Sequence, residues 1–497
     1  MERLINVDLA DVWDEDDRYV MTLAWGDRVE VTGETAQHVE IVRTTFRAEA
    51  DLSRRPRHVR GRIKKRRGVR ALATAAELGI LRVDFVDVQQ GDGAVLETPG
   101  GSVVLIDGGD NKLFARYLAG RFRDTSDAEP KQVDAIVVTH GDADHFSGLS
   151  EIADSEALTD RPHKQLFLHP RRVFHNGLVK RPSSRRETEL LGPTVRGPGG
   201  GPVIVGLVDE LRDVPDSEMN RDFKRWKRSL LQWARRGPIE IRRLQRGDDD
   251  AFDFLAGEGV GVQVLGPLTE QVSGRPGLRF LGEPLRRFGH RPSGRRRFGA
   301  PSASHTINGH SIVLRVTFGG WNLLFAGDLN EQAEETLVAD HDARRIDLRS
   351  EVLKVPHHGS ADYLPDFIRA VAPIVSVVSS GDESARKEYI HPRATLMAGL
   401  GRYARVEEPV VFVTELVAFF AARGWAQLTD DQDADERVRR GPPFYGFSRE
   451  AWGTVRVRTD GERLLVFTDS GLPKMKEAYV FALGDGGAAE PCEPVRV

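Results

Sequence analysis

The chain has 497 residues, 40% hydrophobic and 29% charged, a balance that belongs to folded globular proteins and excludes a disordered one. A formal net charge of −4 gives no global attraction for a polyanion, so any such partner has to be read from local clusters. The single cysteine, Cys492, excludes a disulfide framework and a thiolate-rich metal site, which leaves histidines and carboxylates as the available ligands.

Met1-Glu2-Arg3-Leu4 runs straight into acidic residues, without a basic-then-apolar leader pattern. No apolar run approaches the roughly 20 residues of a bilayer span, so the expectation is a cytoplasmic protein that makes no membrane contact. Val20–Ala24 and Arg28–Val31 flank Trp25-Gly26-Asp27 and predict a hairpin within a small β-rich N-terminal domain, residues 1–70, with a surface for partner proteins. The charge run Arg60-Gly61-Arg62-Ile63-Lys64-Lys65-Arg66-Arg67 reads as a solvated linker or helix face that could meet a polyanion.

From Leu81 the texture changes. Arg82–Val88 alternates like a half-buried strand, Ala94–Thr98 follows, and Val103-Val104-Leu105-Ile106-Asp107 ends on Gly108-Gly109. Leu113–Arg123 has helical character, and Val133–Val138 is a buried-strand pattern that delivers His140. Strands alternating with helices, with hairpins among them, predict a layered α/β architecture with two sheets.

Residues 180–300 read as an insertion. They carry the basic, helix-like Phe223-Lys224-Arg225-Trp226-Lys227-Arg228, a strand signal at Val260–Leu265, and a basic loop through Arg286 and Arg295-Arg296-Arg297. Trp226 and Trp233 stand at helical spacing, either as stacking surfaces for bases or as core. Order returns with Ser311–Val316 and Leu323–Ala326. Near the C-terminus Gly453–Arg458 and Arg463–Phe467 flank Asp460-Gly461, a hairpin signal, while Asp430–Glu436 reads as an exposed acidic loop.

The run His140-Gly141-Asp142-Ala143-Asp144-His145 packs four ligand-type side chains into one turn between a strand and a helix. Ionisable groups so crowded repel or desolvate one another unless a cation compensates. Asp328 ends the apolar run Leu323–Gly327, and His357-His358 end Val352–Val355. Three strand ends bearing Asp or His point to one shared rim.

His140-x-Asp142-x-Asp144-His145 resembles the metal-binding signature of the metallo-β-lactamase superfamily, with Asp142 replacing the usual second histidine. That replacement is characteristic of the hydrolase domain of the ComEC DNA-uptake channel and its soluble relatives. Asp87–Asp92, Leu105–Gly109, Asn308–Leu314, Ala326-Gly327-Asp328, Leu353–Ser360 and His391-Pro392 fit the same group, in its order, although Gln89 stands where the family usually has glycine. The resemblance implies a four-layer αββα fold over 78–425, with the insertion at 180–300 and C-terminal strands within 426–497 completing or flanking it.

It further implies two divalent ions, manganese or zinc. His140 and Asp142 would bind the first, with a mid-chain histidine nominated as His175 (His169 the runner-up). Asp144, His145 and His357 would bind the second, with Asp328 bridging. Asp144 is also expected to be catalytic, and His358 or His391 to supply the leaving-group proton; Asp92 and Asp107 would orient ligands. Two such ions lower the pKa of a bound water and give a hydroxide nucleophile. The expected activity is that of a phosphodiesterase or nuclease, with nucleic acid met by the basic segments around Lys64, Lys224 and Arg295. The rivals are hydrolysis of a small phosphodiester or cyclic nucleotide, and a binding or scaffold protein with a degenerate site.

Overall fold

The computed structural model describes residues 1–48, 54–284, 298–381, 391–407, 409–414, 453–468, 477–483 and 489–491. The acidic 430–436 segment, the loop through Arg286 and Arg295, and Cys492 lie outside them.

Two sheets face each other. In the first, ten strands among the described residues run in the order 240–243, 172–175, 135–137, 103–107, 93–97, 81–85, 455–459, 463–468, 478–483, 489–491. The second orders six as 260–266, 313–318, 321–325, 352–354, 375–378, 410–413. Their inner faces bury a common core in which Val83, Leu96, Val104 and Ile106 meet Leu314, Leu323, Phe325 and Val375. Val104 and Ile106 point inward while Leu105 between them points outward, so the strand Val103–Asp107 is buried on both faces and reads as an uninterrupted apolar run.

The helices cover the outer faces. α1 (Leu113–Arg121), α2 (Ala143–Ser155) and α3 (Arg221–Trp233) pack on the first sheet through Phe114, Leu118, Phe146, Leu149, Phe223, Trp226 and Trp233. α4 (Ala303–Gly309) reaches the rim, and α5 (Glu331–Asp342), α6 (Pro365–Val371) and α7 (Ala394–Tyr403) cover the second sheet through Leu337, Phe367 and Leu396. This is the αββα layering that the resemblance implies.

The N-terminal segment forms its own seven-stranded sheet, order 19–24, 9–13, 54–64, 38–48, 28–34, 2–5, 72–73. Two expectations change there. Tyr19–Ala24 pairs with Leu9–Trp13, whereas Arg28–Glu34 pairs with Glu2–Ile5 and His38–Ala48, so no hairpin joins the strands on either side of Trp25. Trp25 leaves the sheet instead: it is buried, with Arg463 stacked over its ring at 3.9 Å and Arg458 bonded to its carbonyl and to Asp27. The first part of the basic run is strand and not linker or helix, because Arg54–Lys64 pairs along its whole length with His38–Ala48, and Lys65-Arg66-Arg67 follow outside the strand.

The insertion is also smaller than its predicted limits. Val260–Gly266 pairs antiparallel with Val313–Phe318 and is the edge of the second sheet. The Asp460-Gly461 turn joins Val455–Thr459 to Arg463–Thr468, and the first of these pairs with Leu81–Phe85 in the core. Among the described residues no helix is long and apolar enough to cross a membrane.

Candidate metal centre

The strands 103–107, 135–137, 321–325, 352–354 and 375–378 all end at one rim of the two sheets, where the parallel pairings 103–107 with 135–137, 321–325 with 352–354 and 352–354 with 375–378 align their C-terminal ends. The residues just beyond those ends make the site. After 135–137 the chain passes Thr139 and His140 and enters α2 with Asp142 at its N-cap. Asp142 does not cap the helix; its carboxylate reaches out to Lys180. Glycine is required at two approaches. A Cβ on Gly91 would sit 1.8 Å from the Asp144 carbonyl oxygen, and one on Gly141 would meet the Phe223 ring at 2.7 Å and Ile307 at 2.8 Å. The inserted helix therefore rests directly on the His140–His145 loop.

Asp328 is central. Its Oδ1 lies 3.3 Å from His145 Nε2, and its Oδ2 lies 3.2 Å from His358 Nε2 and 3.9 Å from His140 Nε2. His358 Nε2 is also 3.5 Å from Asp144. Behind these atoms the rings are anchored. His145 Nδ1 bonds Asp107 at 2.8 Å, and Asp107 also accepts the Thr139 amide at 2.8 Å and hydroxyl at 2.6 Å. His358 Nδ1 donates to the Ser379 carbonyl at 3.1 Å. The Asp328 amide donates to the Ser311 hydroxyl oxygen at 3.0 Å, and Gln90 donates to Asp144 at 3.1 Å. Asp92 stands behind His358 at 3.3 Å and is paired with Lys354.

Four inward-facing atoms, His140 Nε2, His145 Nε2, Asp328 Oδ1 and His358 Nε2, are buried without a hydrogen-bond partner. Leaving such atoms unsatisfied costs about 1–3 kcal/mol each, and a cation between them supplies one shared partner. The electrostatics agree. Burial alone would lower His145 and His358, but Asp328 with Asp107 for the first, and Asp328 with Asp92 for the second, hold both well above the ordinary imidazole value. His140 goes the other way, held well below by burial and by neighbouring His145, so its lone pair is available. Burial would raise Asp328, yet His358 and His145 keep it well below the usual carboxylate range. The cluster draws positive charge, and its imidazole and carboxylate donors suit divalent manganese or zinc. Two overlapping groups, His140, His145 and Asp328, and Asp144, His145 and His358, have donor atoms close enough to hold an ion each.

The structure brings His140, Asp144, His145 and Asp328 together as the sequence suggests and rearranges the rest. His358, rather than His357, faces the cluster. Both have left-handed backbone, φ 50° and 52°, and this double reversal turns His357 away toward Asn308, 3.5 Å from its Nε2. His391 lies beside His357, ring centroids 6.1 Å apart and tilted by 45°, and is pushed down to about 4 by burial and by the charges of His358 and His357. His175 is not brought in. Its Nδ1 accepts the Gly177 amide at 3.1 Å and its Nε2 donates to the Asp209 carbonyl at 3.2 Å, so neither nitrogen is free for a metal. His169 also stands apart, its Nδ1 3.4 Å from the Trp233 carbonyl. Trp226 and Trp233 are buried edge to face and offer no stacking surface. Lys180, the partner of Asp142, carries no local signal in the sequence.

The sequence profile of the metallo-beta-lactamase superfamily matches residues 86–373. The competence protein ComA of Neisseria gonorrhoeae is 44% identical over 98 residues, which cover 19% of this chain and 13% of that protein. ComE operon protein 3 of Bacillus subtilis (strain 168) is 21% identical over 336 residues, 65% of this chain and 31% of that protein. The chain thus spans less than a third of the length of either relative. A histidine–aspartate cluster on the rim of an αββα sandwich and a profile match over most of the sandwich agree: this chain belongs to the metallo-beta-lactamase superfamily.

Proposed function

We propose that the protein is a metal-dependent phosphodiesterase that cuts a nucleic-acid backbone. The observation that carries this reading is the donor set: two carboxylates, Asp144 and Asp328, stand among the imidazoles of His140, His145 and His358, with Asp328 placed between all three rings, while Asp142, expected on the first ion, turns to Lys180 instead. Mixed imidazole and carboxylate sets suit manganese or zinc, and such ions polarise phosphoryl oxygens. The names of two relatives, a competence protein and a product of the ComE operon, support a nucleic-acid substrate.

His140, His145 and Asp328 would hold one ion, and Asp144 and His358, sharing Asp328, the other. Bound there, the pair would supply an activated water and neutralise charge developing on the phosphoryl oxygens. The residues prepare the site. Asp107 holds His145 and the Ser379 carbonyl holds His358, each through Nδ1, so both present Nε2 to the centre. Ser311 fixes the backbone of Asp328. His391, held at about 4, is neutral near pH 7 and carries no imidazolium proton to give. Delivery of the leaving-group proton therefore falls to His357, beside Asn308 at the mouth of the site.

The test is hydrolysis of bis(p-nitrophenyl) phosphate and of labelled single-stranded DNA, duplex DNA and RNA, with added manganese or zinc and with chelator. Cleavage that requires metal and disappears in both Asp144→Ala and Asp328→Ala, with the fold retained by circular dichroism, supports the reading. Full activity in either variant overturns the site. Turnover of the chromogenic diester and cyclic nucleotides without cleavage of any polymer would make the substrate a small phosphodiester.

A further inference from the structure

We propose that the inserted segment builds a groove for one phosphodiester strand leading to the metal centre, with α3 as its cationic wall. This rests on the phosphodiesterase reading. A cleft of roughly 750 Å³ lies between residues 180–191, the first two turns of α3 and the start of α4. At its inner end Lys180 lines the cleft and pairs with Asp142, so the cleft and the His140–His145 loop share a wall. At its other side α4 runs from Ala303 and Ser304 in the cleft to Asn308 beside His357.

The charges on α3 are sorted by face. Arg225 is paired with Glu151 and Asp154, and Lys227 with Asp216 and the Val214 carbonyl. Arg221, Lys224 and Arg228, which line the cleft, meet no carboxylate among the described residues. They are spaced i, i+3, i+7 and stand one above another on the helix, opposite the buried stripe of Phe223, Trp226 and Leu230. Two acids stand in the lining, Glu187, which accepts the Ala303 amide at 2.6 Å, and Asp222, so the three cations of α3 outnumber them.

The row spans about 10 Å, too long for one phosphate and suited to several in sequence. The cleft volume lies in the range that encloses a small ligand or a short run of chain, far below what a duplex needs. With Trp226 and Trp233 buried, recognition would run through phosphates and not through base stacking, so it would be indifferent to sequence.

The experiment measures binding by fluorescence anisotropy, using the full chain with metal chelated and a labelled single-stranded oligonucleotide of about 15 nucleotides. Two charge-matched triple variants are compared: R221E/K224E/R228E in the cleft, and R60E/R66E/R67E on the exposed basic run of the N-terminal sheet. The expected result is at least a tenfold loss of affinity in the cleft variant alone. Its slope of log affinity against log salt should be shallower by about 2, near 0.7 per lost single-strand phosphate contact. Wild-type affinity in the cleft variant, a loss confined to the N-terminal variant, or equally tight binding of polyglutamate of matched charge would each overturn the groove. Because no metal is present, the two readings separate. Cleavage by the wild type with an unaffected cleft variant sinks the groove alone; weakened binding in a protein that cuts nothing sinks the phosphodiesterase alone.

Discussion

His145 bonds Asp107 through Nδ1 at 2.8 Å while its Nε2 points at Asp328, 3.3 Å away on the other side of the ring. The ring is thus fixed in the tautomer that offers Nε2 to the centre. Asp107 can do this because it accepts three donors at once, from His145 and from the amide and hydroxyl of Thr139. An amide in its place would turn an N–H₂ group toward one of those donors. Asp107→Asn is therefore expected to weaken metal binding by about 10- to 100-fold while touching no ion itself. Competition against a chromogenic chelator measures it; unchanged affinity would show that ring orientation does not depend on this carboxylate.

The two adjacent histidines should separate cleanly. His358 faces Asp144 and Asp328, whereas His357 faces Asn308. His358→Ala is expected to lower bound metal from two equivalents toward one, and His357→Ala to retain both ions while losing rate. Elemental analysis of the purified variants decides this, and the reverse pattern would restore the assignment that the sequence favours.

What was legible in the sequence was what strands and their ends encode locally. A buried strand followed closely by Asp or His marks a rim; His140 and Asp328 carry that mark, and Asp144 and His145 follow His140 in the first turn of α2. The choice between His357 and His358 is not local in that sense: two consecutive left-handed residues decide it, and side-chain type does not report φ. Nor could spacing identify Lys180, which reaches Asp142 across a long stretch of chain by tertiary packing. His175 misled because a histidine ending a strand looks the same whether its ring meets a metal or two backbone groups. The hairpin at Trp25 failed for a related reason. The turn residues favoured it, but burial of the indole against Ile80 and Phe467 overrode them.

Gln89 offers a prediction on stability. It has φ 62°, in the left-handed region, where a side chain costs about 1–2 kcal/mol and glycine nearly nothing. Its amide is held by Asp87 at 2.9 Å, a bond that survives any side-chain change. Gln89→Gly is expected to be neutral or stabilising, by up to about 1 kcal/mol once the extra freedom of glycine in the unfolded chain is subtracted. Urea titration reads the difference, and a loss above about 1 kcal/mol would mean that the Gln89 side chain makes contacts worth more than the backbone cost.

A last prediction concerns pH. Glu334 on α5 is fully buried; burial, with Asp362 adding to it, holds its carboxyl well above the ordinary value of 4.5, although the Leu364 amide bonded to it at 2.5 Å pulls the other way. Below that value folded and unfolded chains both carry the proton, and Glu334 adds no pH dependence. Above it the unfolded chain releases the proton while the folded one keeps it, so stability falls as pH rises, by about 1.4 kcal/mol per unit until the folded pKa is reached. Glu334→Gln keeps an acceptor for Leu364 and cannot ionise. The difference in Tm, variant minus wild type, is therefore expected to grow as pH rises above about 5. Calorimetric scans from about pH 5 upward test the sign: a constant difference would mean that the fold does not hold Glu334 above its unfolded pKa.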